Sequence, residues 1–166
     1  MQRILSAAAA ALLTLSPLAA QAEIDPEKAN SVIGMLRAYG CTLNAAQVEL
    51  FWDDMGVTEE EYTEILADAV DRGFATGDAA TRGAVTLNPN FCTLEHAESG
   101  TELLVEVLRY NDCRLDASQI PTLILPLGYM QDTLPPAVQG GIADGRIVPE
   151  SQTVLTLSEA ACHPEL

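Results

Sequence analysis

The segment LRAYGCTLNAAQ, residues 36–47, returns as LRYNDCRLDASQ at residues 108–119. Six of the twelve positions are identical, among them the arginine and the cysteine. The same offset, with a deletion of two residues near the end of the second copy, aligns further identical pairs: Gly56 with Gly128, Gly73 with Gly145, Thr86 with Thr156, Leu87 with Leu157, and Cys92 with Cys162. So many identities in one register predict a tandem duplication of a unit of about 70 residues.

Each copy carries three apolar stripes with the spacing of amphipathic helices. Those of the first copy are Val32, Ile33, Met35 and Leu36, then Val48, Phe51, Trp52 and Met55, then Tyr62, Ile65, Leu66, Ala69 and Val70. Those of the second copy are Leu104, Val105, Val107 and Leu108, then Ile120, Leu123, Ile124 and Leu127, then Leu134, Ala137, Val138, Gly141 and Ile142. Both copies are therefore expected to bury the same faces of three helices, with Phe51 and Trp52 in the core.

Capping signals mark where these helices begin. They are Asp25 before Pro26, and the pairs Asn44 with Gln47, Thr58 with Glu61, and Asp116 with Gln119. Each places a side-chain acceptor where it can bind a free N–H of the first helical turn. Pro121 and Pro126 lack that N–H, so the middle helix of the second copy is expected to be kinked or shortened.

A different pattern follows each third helix. The second copy has GRIVPESQTVLTL at residues 145–157, which predicts two short strands around a turn, and the first copy has a looser version at residues 73–87. We therefore predict a mainly α protein with small β-hairpins, built from two three-helix-plus-hairpin units. This element order resembles that of winged-helix domains, although element order alone does not imply a function.

The first 22 residues have the pattern of a signal peptide. Arg3 precedes a mostly apolar stretch, and Ala20, Gln21 and Ala22 form a small-x-small cleavage site. We expect export with cleavage after Ala22, one unit over residues 23–94 and a second over residues 95–166. The periplasm is the expected location, with secretion as the alternative, and no membrane insertion is expected after cleavage.

Four cysteines in an exported chain suggest two structural disulfides. Repetition favours a bond within each unit, Cys41–Cys92 and Cys113–Cys162, although the crossed pairing Cys41–Cys162 with Cys92–Cys113 also respects the symmetry. Each within-unit bond would close a loop of about 50 residues and stabilise the fold by about 4 kcal/mol in a chain-entropy treatment. The repeated segment is thus interpreted as a helix end, a disulfide and the start of the next helix.

The chain is strongly acidic, with 24 Asp and Glu against 8 Lys and Arg and a net charge of −16. Such a charge repels phosphate backbones and anionic lipid surfaces, so nucleic-acid and membrane partners are not expected. Acids concentrate on the third helix of the first copy, at Glu59, Glu60, Glu61, Glu64, Asp68 and Asp71. This face either keeps the protein in solution or docks a basic protein partner.

No catalytic or cofactor-binding motif is present in the sequence. His96 and His163 fall outside the repeated positions and are expected to be surface residues. The segment DRGFATGDAATR, residues 71–82, contains Asp71 and Asp78, but Gly73 and Ala75 lie between them and Arg82 stands at the closing position, which breaks the ligand pattern of a calcium-binding EF-hand loop. The apolar segment from Leu123 to Leu127 is expected to pack against the first unit or another molecule.

These observations predict an exported, disulfide-stabilised, noncatalytic binding or assembly protein without a cofactor. The alternative is an accessory subunit or an enzyme with a site where the two units meet. A further alternative is weak binding of divalent cations by the clustered acids.

Overall fold

The structure, a computed structural model, describes residues 24–164. The signal peptide that we assign to residues 1–22 lies outside the described residues. No helix within residues 24–164 combines the length and the apolar character needed to cross a bilayer.

The first half of the described chain, residues 24–94, has three helices, a two-stranded sheet and one short helix. These are α1 (Pro26–Ala38), α2 (Ala45–Met55), α3 (Glu59–Asp71), β1 (Ala75–Gly77), β2 (Val85–Leu87) and α4 (Pro89–Cys92). The strands are antiparallel, with Thr76 opposite Thr86.

The second half, residues 95–164, is also mainly helical. Its elements are α5 (Gly100–Tyr110), β3 (Arg114–Asp116), α6 (Leu134–Ala143), β4 (Ile147–Pro149), β5 (Val154–Leu157) and α7 (Glu159–Cys162). A mainly helical protein with two small antiparallel sheets is therefore what the structure shows.

The capping signals act as the sequence predicts. The side chain of Asp25 accepts a hydrogen bond from the backbone N–H of Glu27, and Asn44 and Thr58 each form a reciprocal capping box with the residue three positions later. Asp116 forms the same box with Gln119, but it opens a single 3₁₀ turn and not an α-helix. These four signals thus mark where a helical turn begins and not how far it continues.

The expected middle helix of the second copy is replaced by three short turns. Residues 117–127 form a 3₁₀ turn, a π turn and a second 3₁₀ turn in succession. Pro121 and Pro126 each remove a backbone donor and crowd the preceding turn, which prevents a continuous α-helical ladder. The segment still packs inward, because Ile124 and Leu127 are buried.

The sheet of the second half has three strands in the order β3-β5-β4, where the sequence predicted only a hairpin. The additional strand, β3, pairs with β5 through Leu115 opposite Leu155. The equivalent place in the first half has a single bridge between Thr42 and Thr86. The short helices α4 and α7, each ending in a cysteine, were not predicted either.

One hydrophobic cluster joins buried side chains of both halves. Phe51 and Trp52 are not fully buried within it, contrary to the expectation from their stripe. Trp52 packs against Tyr62 with ring centroids 5.5 Å apart, and the guanidinium of Arg82 lies 5.1 Å from its ring. Ile142, expected on the buried face of α6, is 41 % exposed. The helical periodicity therefore predicted which face of each helix turns inward, but not which residues at the margin of that face are fully buried.

Candidate functional site: an acidic cleft between the two halves

A cleft of about 780 Å³ opens between α1, α3 and the C-terminal end of α5. Both halves of the chain contribute polar side chains to it. Four carboxylates, one guanidinium, one phenol and two amides line it: Glu64, Asp68, Asp71, Asp112, Arg72, Tyr110, Asn30 and Asn111. Ala29 and Ala67 add apolar surface. We refer to this feature as the junction cleft.

Helix α3 directs three of the carboxylates toward the junction cleft. Glu64, Asp68 and Asp71 lie about one turn apart along the helix, so they share one face. Glu64 and Asp71 are exposed, whereas Asp68 is partly buried and binds Arg72 Nη1 at 3.1 Å. Two of the three charges therefore remain without an ion pair among the described residues.

Arg72 contributes little free positive charge to the cleft. Besides its pair with Asp68, its Nη2 atom donates to the backbone carbonyls of Arg109 at 3.2 Å and Tyr110 at 3.3 Å. Its guanidinium carbon lies 5.0 Å from the ring centroids of both Phe74 and Tyr110. The side chain thus connects the two halves, and the charge that the cleft presents to a ligand is negative.

Asp112 supplies the carboxylate of the second half. Its φ angle is 51°, and the next residue, Cys113, has a φ of 60°. The aligned position in the first half is Gly40, with a φ of 80°, followed by Cys41 at 72°. Glycine adopts this left-handed conformation without steric cost, and aspartate is among the few other residues that tolerate it. The second half therefore carries an exposed carboxylate where the first half has no side chain.

The six acids of the predicted docking face differ in the contacts that they make. Glu59 binds Arg82 at 2.9 Å. Glu61 binds Lys28 at 2.6 Å and accepts from the backbone N–H of Thr58 at 2.8 Å. These contacts, led by the hydrogen bond from Lys28, lower the pKa of Glu61 to about 2. Glu59 and Glu61 therefore belong to the scaffold.

The remaining acids of that face divide between two surfaces. Glu60 is exposed and has no ion pair within residues 24–164, but it is not part of the cleft lining. Glu64, Asp68 and Asp71 do line the cleft, where Asp112 joins them from the other half. Three of the six acids thus lie in the junction cleft, together with one carboxylate of the second half.

The aromatic cluster beneath the cleft was not anticipated from the sequence. The rings of Phe74, Phe91 and Tyr110 contact one another with centroid distances of 4.8 to 5.0 Å. Burial raises the pKa of the Tyr110 hydroxyl to about 12, so that group stays protonated at neutral pH. Because Phe74 and Phe91 belong to the first half and Tyr110 to the second, these contacts cross the junction.

The repeated arginines lie against this cluster. Arg37 stacks on Phe91 at 4.3 Å, and its Nε and Nη2 atoms donate to the carbonyl of Phe91 at 3.1 and 2.9 Å. Burial lowers the pKa of Arg37 to about 10. Arg109 lies 4.4 Å from the ring of Phe74 and pairs with Glu106. The matching of Arg37 with Arg109 in the repeat was the one sequence signal that pointed to these contacts.

The disulfides join Cys41 to Cys92 and Cys113 to Cys162, with Cα–Cα distances of 5.6 and 5.5 Å. This is the within-unit pairing that the repeat favours over the crossed one. Cys41 and Cys92 are buried, whereas Cys113 and Cys162 are partly exposed. Two disulfides indicate folding in an oxidising compartment outside the cytosol.

Within residues 24–164, neither Asp71 nor Asp78 belongs to a group of three or more potential ligands whose donor atoms lie within 4.8 Å of one another. Within the described part of the chain, the only close group of potential ligands is Cys41, Cys92 and His96, whose donor atoms lie within 4.8 Å of one another. Both of those cysteines are in a disulfide and offer no thiolate. Asp78 binds the backbone N–H of Ala80 and the hydroxyl of Thr81, so it closes its own turn.

Each of the two histidines lies beside a disulfide. His96 Nδ1 lies 2.8 Å from the hydroxyl of Thr93. His163 Nε2 lies 3.4 Å from the sulfur of Cys162.

Comparison of the chain with protein-family models, with curated proteins and with solved structures found no match. The junction cleft is therefore interpreted from its own chemistry.

Proposed function

We propose that this protein is a noncatalytic binding or assembly protein of the periplasm that docks a basic segment of a partner protein in the junction cleft. The observation that carries the proposal is the convergence of Glu64, Asp71 and Asp112 on one concave surface. The single guanidinium of that surface, Arg72, is engaged by Asp68 and by two backbone carbonyls. A lysine or arginine side chain of a partner would complement this charge.

The size and composition of the cleft favour a peptide segment over a small cofactor. Its volume exceeds that of one side chain, and its apolar lining from Ala29 and Ala67 can cover the stem of a long basic residue. A folded partner inserting one extended or helical segment would satisfy both properties.

Tandem duplication remains part of the proposal. Its support is the repeated order of elements, from a helix through a cysteine and a hairpin to a short helix that ends in the second cysteine. Duplication followed by the divergence of Gly40 and Asp112 would explain why only one of the two equivalent turns carries a carboxylate.

The experiment measures binding of a lysine- and arginine-rich peptide by fluorescence anisotropy at increasing salt. The test variant combines Glu64→Gln, Asp71→Asn and Asp112→Gly, and the matched control combines Glu60→Gln, Glu95→Gln and Glu159→Gln. All three control residues are exposed, and none lines the cleft. We expect the test variant to lose about tenfold in affinity and the control less than about twofold, because a pair of charges in close contact contributes more than a distant one.

Equal losses in the two variants would contradict docking in the cleft, because they would indicate attraction by net charge alone. An acidic peptide of the same length should not bind either protein. Circular dichroism of both variants checks that the fold is retained.

The second candidate is an accessory subunit or an enzyme that uses the same cleft. It is favoured by one specific observation, the meeting of polar side chains from both halves in a single cavity. Thermal-shift measurements with a panel of small metabolites distinguish the two functions. Stabilisation by a metabolite in the native protein, abolished in the test variant but not in the control, would favour this candidate over peptide docking.

Divalent-cation binding is tested in the same assay by adding calcium. A calcium-dependent rise in Tm that disappears in the test variant would support a cation site, and an unchanged Tm at millimolar calcium would remove that alternative.

A further inference from the structure

We propose that Cys113–Cys162 is a thiol–disulfide exchange site and that its reduction alters the junction cleft through Asp112. The exchange itself is independent of the proposed function. Its effect on the cleft rests on the proposed function, and the experiment below separates the two.

The two disulfides differ in their access to an attacking thiolate. Cys41 is 3 % exposed and Cys92 is 0 % exposed, whereas Cys113 and Cys162 are both partly exposed. Exchange requires a thiolate to approach one of the two sulfur atoms directly, so a buried bond reacts only after the surrounding core opens. Cys113–Cys162 is therefore the more accessible of the two bonds in the folded protein.

The structure also provides a group that assists the leaving sulfur. His163 Nε2 lies 3.4 Å from Cys162 Sγ. In the tautomer with its proton on Nε2, this imidazole would donate to the thiolate that forms when the bond breaks. A more stable thiolate leaves faster. His96 lies close to the other disulfide, but the two sulfur atoms there are buried among core residues.

The helices that carry the second cysteines are anchored differently. Helix α4 buries both Phe91 and Cys92, and Arg37 holds the carbonyl of Phe91. Helix α7 has no buried residue. Ala161 and Cys162 of α7 pack against the hydrophobic cluster but are only partly buried. Breaking Cys113–Cys162 should therefore loosen α7 more than breaking Cys41–Cys92 would loosen α4.

The reductant is a dithiol oxidoreductase, and the step balances as follows. One thiolate of the reductant attacks Cys113 Sγ, the bond to Cys162 breaks, and Cys162 leaves as a thiolate beside His163. This leaves a mixed disulfide between Cys113 and the first sulfur of the reductant. The second thiolate of the reductant then attacks that first sulfur and releases Cys113 as a thiolate. The reductant loses two electrons and becomes a disulfide, and its two protons end on the two cysteines.

Reduction reaches the cleft through the backbone. Asp112, which lines the cleft, and Cys113 are two successive non-glycine residues in the left-handed region. Such conformations are unfavourable for residues with a side chain and persist only where the surrounding structure enforces them. The disulfide is one of those constraints, so its loss lets the turn relax and moves the Asp112 carboxylate away from Asp71 and Glu64.

The experiment exposes the oxidised protein to dithiothreitol for increasing times, blocks free thiols by alkylation and maps the modified cysteines by mass spectrometry. Cys113 and Cys162 should be modified about tenfold faster than Cys41 and Cys92, with the far-UV circular dichroism unchanged. His163→Gln should slow the opening of Cys113–Cys162 severalfold, whereas the matched control His96→Gln should leave it unchanged. Simultaneous opening of both bonds, or earlier opening of Cys41–Cys92, would overturn the exchange site.

The coupling has its own measurements on the selectively reduced and alkylated protein. Hydrogen exchange should increase at residues 111–114 and 159–162, and affinity for the basic peptide should fall about threefold, as expected when one of several charges is displaced. Unchanged hydrogen exchange would overturn the coupling. If the oxidised protein binds no basic peptide, the proposed function fails. The selective reduction of Cys113–Cys162 and the hydrogen-exchange measurements test the exchange site independently of that result.

Discussion

Glu61 is an acid of the predicted docking face whose contacts also hold the scaffold together. Its carboxylate closes a capping box with Thr58 and pairs with Lys28 on α1, so it fastens the start of α3 to its neighbour. On the sequence alone, the spacing of Glu61 from Thr58 already indicates a capping role that Glu60 and Glu64 lack. The ion pair of Glu61 with Lys28, in contrast, depends on how α1 and α3 pack.

This pairing makes the stability of the protein depend on pH in the acidic range. The pKa of Glu61 is lowered from 4.5 to about 2 in the folded protein, so its contribution to stability is present above pH 4.5 and is lost as the pH falls through about 2. Glu61→Gln should therefore lower the Tm at pH 6, and the difference from the native protein should shrink toward pH 2. Glu60→Gln serves as the control and should show no such pH-dependent difference. A constant difference between pH 2 and pH 6 would contradict the assignment.

At the scale of an element, α1 and the turn after it contain two glycines with opposite requirements. Gly34 lies inside the helix, and Gly40 follows it with a φ of 80°. A Cβ added at either position would meet no other atom within 4 Å. Space is therefore equal at the two sites, and only the backbone conformation differs.

Alanine substitution should affect these two glycines in opposite directions. Gly34→Ala should increase the free energy of unfolding by about 0.5–1 kcal/mol, because glycine is a poor residue in a helix interior. Gly40→Ala should decrease the free energy of unfolding by about 1 kcal/mol, because alanine is strained in the left-handed conformation. Urea denaturation of the two variants measures both effects. A stabilising effect of Gly40→Ala would show that the turn is not held in the left-handed conformation.

The middle segment of the second half shows the limit of periodicity at the same scale. Its apolar residues follow a helical spacing and its capping box is formed, yet two prolines divide it into short turns. The segment lies against α1, where Leu123 and Pro126 line a small groove with Gly34 and Ala38. The carbonyl of Leu127 also accepts a hydrogen bond from the backbone N–H of Leu94 at 2.8 Å. Packing against the first half therefore stabilises a segment that local structure does not.

At the scale of the whole molecule, the contacts that cross the junction are aromatic and cationic. Arg72 donates to two carbonyls of the second half and stacks on rings from both halves. The hydrophobic cluster is also shared between the halves. These contacts couple the two halves energetically, since neither half can open without exposing part of a common core.

The coupling predicts one cooperative unfolding transition that Arg72→Lys weakens. Lysine keeps the charge but loses the planar fork, so we expect a loss of about 1–2 kcal/mol in the free energy of unfolding. The control, Arg114→Lys, alters an exposed pair with Glu150 and should change the free energy of unfolding by less than about 0.5 kcal/mol. Both are measured by urea denaturation.

The single tryptophan offers a direct check on cooperativity. Trp52 reports on the first half alone, whereas far-UV circular dichroism reports on all helices. The two signals should change at the same urea concentration in the native protein. Separate midpoints would mean that the halves unfold independently and that the junction contributes little to stability.

The sequence by itself determined the starts of α1, α2 and α3 and the buried faces of most long helices, and it favoured the pairing of cysteines that the structure shows. These features depend on neighbours in the chain or on the repeat, so capping residues such as Thr58 and the periodicity of Tyr62, Ile65 and Leu66 are sufficient to predict them. The tertiary structure alone decided the junction cleft, the aromatic cluster and the division of the acidic face. Those depend on which side chains of the two halves meet: Arg72 reaches carbonyls 37 and 38 residues away, and Asp112 joins Asp71 only because α3 and α5 end side by side. Capping signals and helical periodicity act between residues close in the chain. They cannot predict contacts between remote residues, because such contacts arise only when the helices pack.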